Sequence, residues 1–210
     1  MNSWKNQIVI KTLVPFSAAY FILCVYRAND SSISTLTDQW QGIVAIGALS
    51  FGLALFQDLF PKSLKEILVF QRLSNRLPGH RAFSRDRSWG SAIDWEEVID
   101  VRQRSDLDAR GQSRKFYRIY DKYRDVGSVS NSSYRYLQWR ELAFLSLVAS
   151  FLVFVRYGYE FGFSSFLTLE LVAYGIVSTA LSILAARRAS NDLVEYVLLA
   201  EYLDQTDDEQ

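Results

Sequence analysis

The sequence is poor in the side chains that build redox, metal and nucleophilic sites. Its one cysteine, Cys24, cannot close an intrachain disulfide; it lies in an apolar stretch, where a small packed hydrophobe accounts for it. Its one histidine, His80, has no carboxylate or thiolate cluster at ligand spacing, so neither a metal nor another cofactor is expected. Net charge is lacking too. The 23 Lys and Arg balance the 23 Asp and Glu, which argues against a nucleic-acid-binding protein as a whole.

What is present is segregated. Hydrophobic residues make up 50% of the 210 and charged residues 22%, and the mean hydropathy is +0.01. Those averages resemble an ordinary soluble protein. Yet four stretches are nearly free of charge, and most basic residues sit in one block between the second and third. This pattern excludes a single soluble domain, a disordered chain and a fibrous repeat, and points to a polytopic membrane protein.

A membrane-crossing helix needs about 20 mainly apolar residues. The sequence predicts spans at 7–26 and 40–60, a third with its uncharged core at 142–155, and a fourth at 161–186. Lys11 and Pro15 interrupt the first run, and no small-x-small cleavage site follows it, so an uncleaved anchor is expected. Arg140, Glu141 and Arg156 bracket the third and are expected to snorkel. The runs are too long for strands and show no sustained alternation. The predicted fold is therefore all-α: a four-span bundle with a small helical cytoplasmic subdomain between spans two and three. Residues 1–60 form one transmembrane hairpin, 61–135 the basic subdomain, 136–188 the second hairpin, and 189–210 a cytoplasmic helix, read over 191–204 and able to continue span four, with a solvated acidic tail at 204–210.

The links at 28–39 and 157–165 carry no Lys or Arg, whereas Lys62, Lys65, Arg187 and Arg188 lie close to span ends. The positive-inside rule places both termini and the long link in the cytoplasm. Within that link, Pro61 opens an amphipathic helix expected over 62–76, with Leu64, Ile67, Leu68 and Phe70 on its apolar side and Lys62, Lys65, Glu66, Arg72 and Arg76 on its polar side. Further helices are expected at 92–102 and at 113–124, where Phe116, Ile119, Tyr120 and Tyr123 recur at helical spacing. Ser132 or Ser133 is a possible cap for the helix that becomes span three. The basic-aromatic stretch 114–124 would suit base stacking, but aromatics facing a core with solvated charges is the simpler account, so nucleic acid is not an expected partner. Arg72, Arg76, His80, Arg81, Arg114, Lys115 and Arg118 form the candidate cytoplasmic interaction surface.

In the spans, Lys11 and Asp58 lie near the inner ends, where snorkelling or a mutual pair explains them. Glu170 is the most informative residue, about 9 Å by helical rise from the outer end of its span. It suits an ion pair with Arg156 or Arg27, or a proton path. Glu170, Tyr174, Ser178 and Ser182 recur every four residues as one polar stripe; with Arg156 they make the candidate membrane polar site. Ala48 and Gly52, and Ser50 and Ala54, give small-xxx-small spacing for helix packing.

Val69-Phe70-Gln71-Arg72, followed by Leu77-Pro78-Gly79-His80-Arg81-Ala82-Phe83-Ser84, resembles a loop of small uncharacterised polytopic membrane proteins of bacteria, with the pattern LVFxR…LPGxRAFS. The downstream aromatic pair is Phe116-Tyr117 here, with Phe in place of Trp. The resemblance implies the bacterial inner membrane and brings no catalytic residues. In size and layout the chain is also similar to membrane subunits of bacterial phage-defence gene pairs.

Three functions compete. A non-enzymatic scaffold or effector would oligomerise and engage a cytoplasmic partner or ligand, with lipid, further copies of the chain and a cytoplasmic protein as partners. A small transporter or channel would use Glu170, although no charged ring or inverted repeat is evident. An enzyme would need a nucleophile and base. His80 has no serine or cysteine placed with it, and Asp94, Glu96, Glu97 and Asp100 read as helix-start charge. The effector is the expected function and an enzyme is not.

Overall fold

The structure, a computed structural model, describes residues 60–83, 108–162 and 166–208. All regular elements among them are helical: α1 (Lys62–Phe70), a 3-10 turn (Pro78–Arg81), α2 (Ala109–Tyr123), α3 (Gly127–Phe161) and α4 (Phe166–Asp208). The predicted span at 7–26, the predicted span at 40–60 apart from Phe60, Lys11, Asp58, the small-residue pairs and the predicted helix at 92–102 lie outside the described residues. Contacts divide the chain into two compact units. The first comprises Met1–Lys65 and Gln138–Leu184, the second Glu66–Leu137 and Ala185–Gln210.

Local chemistry sets the helix ends. Asp108 caps α2, its Oδ1 accepting from Gly111 N at 2.7 Å, so the helix begins four residues before the predicted start. Helix α1 stops at Phe70, not at residue 76. Gln71 turns to φ +52° and its N–H bonds Ile67 O at 2.7 Å, a left-handed cap, and Asn75 repeats the positive φ. Helix α3 starts at Gly127, so Ser132 and Ser133 lie inside it and are not its cap. Ser132 Oγ donates to Val129 O at 3.1 Å, and Ser133 meets the Tyr120 hydroxyl at 3.0 Å. Helix α4 runs unbroken through Arg187 and Arg188, so the predicted C-terminal helix at 191–204 belongs to the same helix as the apolar segment.

In the first unit, hydroxyls lie inside beside the buried Ala143, Phe144, Leu145 and Ala149, and many large apolar side chains face outward. Ser146, Ser150, Thr179 and Ser182 are buried, while Leu147, Phe151, Leu152, Phe154, Val155, Tyr159, Leu169, Tyr174, Ile176, Val177, Leu181 and Leu184 are exposed. Ser146, Ser150 and Thr179 are bonded where they sit. Ser146 and Ser178 join α3 to α4 at 3.2 Å, and Ser150 and Thr179 bond the carbonyls of Ser146 and Gly175 one turn back. Among the described residues no helix is long and apolar enough to cross a membrane.

The second unit has an ordinary apolar core. Val69, Phe83, Phe116, Ile119, Tyr123, Val129, Tyr136, Leu193, Val194, Val197 and Leu198 are buried. The 3-10 turn packs on α2 through Gly79, which lies against the fully buried Phe116 ring.

Candidate functional site

The predicted polar stripe on α4 divides. Ser182 is fully buried and Ser178 bonds Ser146, whereas Tyr174 is 44% exposed and Glu170 half-buried. A spacing of four drifts around the 3.6-residue turn by about 40° per step, so four such positions do not hold one face. The Arg156 side chain, and with it the predicted pair with Glu170, lies outside what the structure describes.

The buried charges of the first unit are others. Lys65 Nζ meets Glu141 Oε2 at 2.5 Å, and Arg140 Nη2 and Nε meet Glu141 Oε1 at 2.6 and 3.2 Å. All three residues are less than a tenth exposed. Lys65 Nζ also lies 5.7 Å from the centroid of the Phe144 ring, which stacks at a tilt on Phe60. This corrects two expectations: Arg140 and Glu141 do not snorkel outward, and Lys65 is not on a solvated face. The buried line of α1 is Lys65 and Val69, one helical turn apart, and Leu64 is 44% exposed. Nothing in the sequence pairs residues 65 and 141, which are 76 positions apart.

The predicted basic surface also sorts itself. His80 Nδ1 accepts from Leu77 N at 3.1 Å and so closes the 3-10 turn, a structural task. Lys115 lies half-buried with its Nζ 5.0 Å from the Phe83 ring centroid. Arg114 and Arg118 are exposed on α2, whose aromatic side is turned to the core at Phe116 and Tyr123.

Arg72 and Arg81 come together in a cleft of about 730 Å³, lined also by Phe70, Gln71, Asn75, Leu77, Pro78, Arg187, Ser190, Asn191 and Val194. Three guanidiniums and four neutral polar side chains line it, and no carboxylate is among its described lining residues. Arg187 is anchored by its Nε, which donates to Val69 O at 2.6 Å. That bond caps the last carbonyls of α1 and uses one of five guanidinium donors. Arg76, His80, Arg114, Lys115 and Arg118 lie outside the described lining. Arg187, Ser190 and Asn191 were not expected there; the polar run following an apolar helix was the available signal.

A second polar cluster ties α4 to α2. Asp204 Oδ2 accepts from Lys122 Nζ at 2.6 Å and from the Tyr123 hydroxyl at 2.7 Å, and Glu201 lies 3.7 Å from Lys122. The tail expected to be solvated from residue 204 is thus helical to Asp208 and held at its start. The Lys122 and Tyr123 hydrogen bonds hold the Asp204 carboxyl below the usual carboxylate range. The bond to Asp204 raises the Lys122 ammonium, and burial, foremost, pushes the Tyr123 phenol up to about 12.

Among the described residues no group of three or more His, Cys, Asp or Glu is placed to hold a metal ion. What the cleft can do chemically is hold an anion through charge-assisted, forked hydrogen bonds. Comparisons with family models, curated proteins and solved structures return no match.

Proposed function

We propose that the chain is a non-enzymatic, multi-pass subunit of the bacterial inner membrane that oligomerises and engages a cytoplasmic partner or ligand through its second unit. The observation that carries it is the outward apolar band of the first unit: twelve large apolar side chains exposed along 147–184 over a seam of buried hydroxyls. Water would penalise so large an exposed apolar band, whereas lipid would solvate it. Ser146, Ser150, Ser178 and Thr179, which dilute the hydropathy of α3 and α4, bond to each other or to their own helices and would not meet lipid. Of the charges that set orientation, Lys65 is spent on Glu141, which leaves Lys62, Arg187 and Arg188 to favour cytoplasmic termini. A role in phage defence rests on likeness of size and layout alone. A conducting role for Glu170 has less support, because Tyr174 is exposed and Ser178 is bonded across α3 and α4.

Two experiments test the proposal. The chain should stay in the pellet when membranes are washed with alkaline carbonate, and amine cross-linking in those membranes should trap dimers or larger species. A chain released by carbonate overturns the membrane assignment, and a purely monomeric pattern overturns the oligomer.

A further inference from the structure

We propose that the arginine-lined cleft of the second unit binds a phosphate-bearing anion, specifically an organic phosphate of about nucleotide size. The cleft gathers Arg72, Arg81 and Arg187 in one concavity with no carboxylate among its described lining residues. A guanidinium is a donor fork with no acceptor, so an anion in the concavity can be held by more than one of them at once. A phosphoryl group matches the set better than a carboxylate. It carries up to two charges and three acceptor oxygens, and guanidinium forks bind it in pairs.

The site is also pre-formed. The bond from Arg187 Nε to Val69 O fixes that guanidinium and leaves its Nη groups for other acceptors. Gln71 and Asn75, both lining residues, hold left-handed backbone at φ +52°. Such strained non-glycine positions recur where a ligand is clamped. The size of the ligand follows from the volume, about 730 Å³, which suits a small molecule larger than a bare phosphate. Its composition follows from the wall: Phe70, Leu77, Pro78 and Val194 supply an apolar side for a ring or hydrocarbon, with Ser190 and Asn191 for its polar edge. The inference rests on the ligand-engaging role proposed above and names the ligand's chemistry. The phosphate could belong to a soluble molecule or to a lipid headgroup.

The test uses the full chain in phosphatidylcholine nanodiscs, titrated calorimetrically with inorganic pyrophosphate and with AMP. Both probes should bind. Arg72→Gln and Arg81→Gln should each weaken binding about tenfold or more, the Lys variants should keep part of the affinity, and Arg118→Gln, on the exposed side of α2, should leave it unchanged. Helical melting followed alongside separates loss of the site from loss of the fold. Native mass spectrometry with added phosphatidylglycerol then assigns the source. Arginine-dependent lipid adducts displaced by pyrophosphate support the headgroup, and probe binding without such adducts supports a soluble phosphate. Absence of both probe binding and arginine-dependent adducts overturns the proposal, as does an equal response to Arg118→Gln. Either failure leaves the carbonate and cross-linking outcomes standing, so it is distinct from failure of the membrane reading.

Discussion

Gly79 shows how little room one position leaves. A Cβ there would sit 2.8 Å from Phe116 Cδ1 and 3.2 Å from its Cβ and Cγ. Phe116 is fully buried, with the Tyr117 and Tyr120 rings at 5.2 and 6.4 Å, so its ring has nowhere to yield. Gly79→Ala should cost about 1–3 kcal/mol, seen as a lower melting temperature; an unchanged melt would mean the 3-10 turn slides off α2 without penalty. Gln71 is the opposite case. It pays for a left-handed φ of 52° that glycine adopts without steric cost. Gln71→Gly should therefore raise stability by about 0.5–1 kcal/mol in denaturant titrations, and a loss would show that the glutamine side chain holds the turn.

Pairs of elements depend on charge. The carboxylate of Asp204 joins α4 to α2, and its pKa is depressed in the fold. The contribution of that carboxylate is present above its unfolded value, about 3.9, and is lost as pH falls through the lower folded value. Lys122, raised, contributes below its ordinary value and fails only in strong alkali; Tyr123, raised to about 12, weakens the join as pH climbs past about 10. The protection of the amides at 198–208, taken relative to the intrinsic exchange rate at each pH, should be flat from about pH 5 to 9 and fall below about pH 4, and Asp204→Asn should lower it already at neutral pH. A fall at acid pH that the Asn variant still shows in full would place the acid response elsewhere. In the first unit, Glu141→Ala removes the carboxylate that the buried Lys65 and Arg140 heads share and should cost about 3 kcal/mol in thermal melts; no change would mean that other partners hold both. These elements also show what a sequence can disclose. Helix α2 was legible because Phe116, Ile119 and Tyr123 repeat at its period, and the continuity of α4 because no breaker stands near residue 187. The inward face of α1 was not, because the partner that draws Lys65 inside comes from a distant helix. Arg72 and Arg81 could be read as basic surface, but the cleft needs Arg187 from the far end of the chain.

For the whole molecule, the question is which solvent the exposed apolar band meets. In water, replacing one exposed side chain by a charged one changes stability by no more than about 0.5 kcal/mol. At the depth of a bilayer, an arginine costs about 2.5–3.5 kcal/mol on insertion scales. Two exposed residues from different units separate these cases: Ile176, 60% exposed in the first, and Leu73, 81% exposed in the second. Ile176→Arg should lower the carbonate-resistant fraction several-fold, because its charge would lie among acyl chains with α4 too rigid to swing it clear. Leu73→Arg should leave that fraction unchanged, since it adds one more cation to the basic unit that the proposal keeps out of the bilayer. The more exposed residue is thus expected to be the more tolerant, and the first unit, for all its exposure, the one that rejects charge. If both variants fractionate like the parent chain, the band on α3 and α4 does not face lipid, and the twelve exposed hydrophobic side chains need a protein surface to cover them.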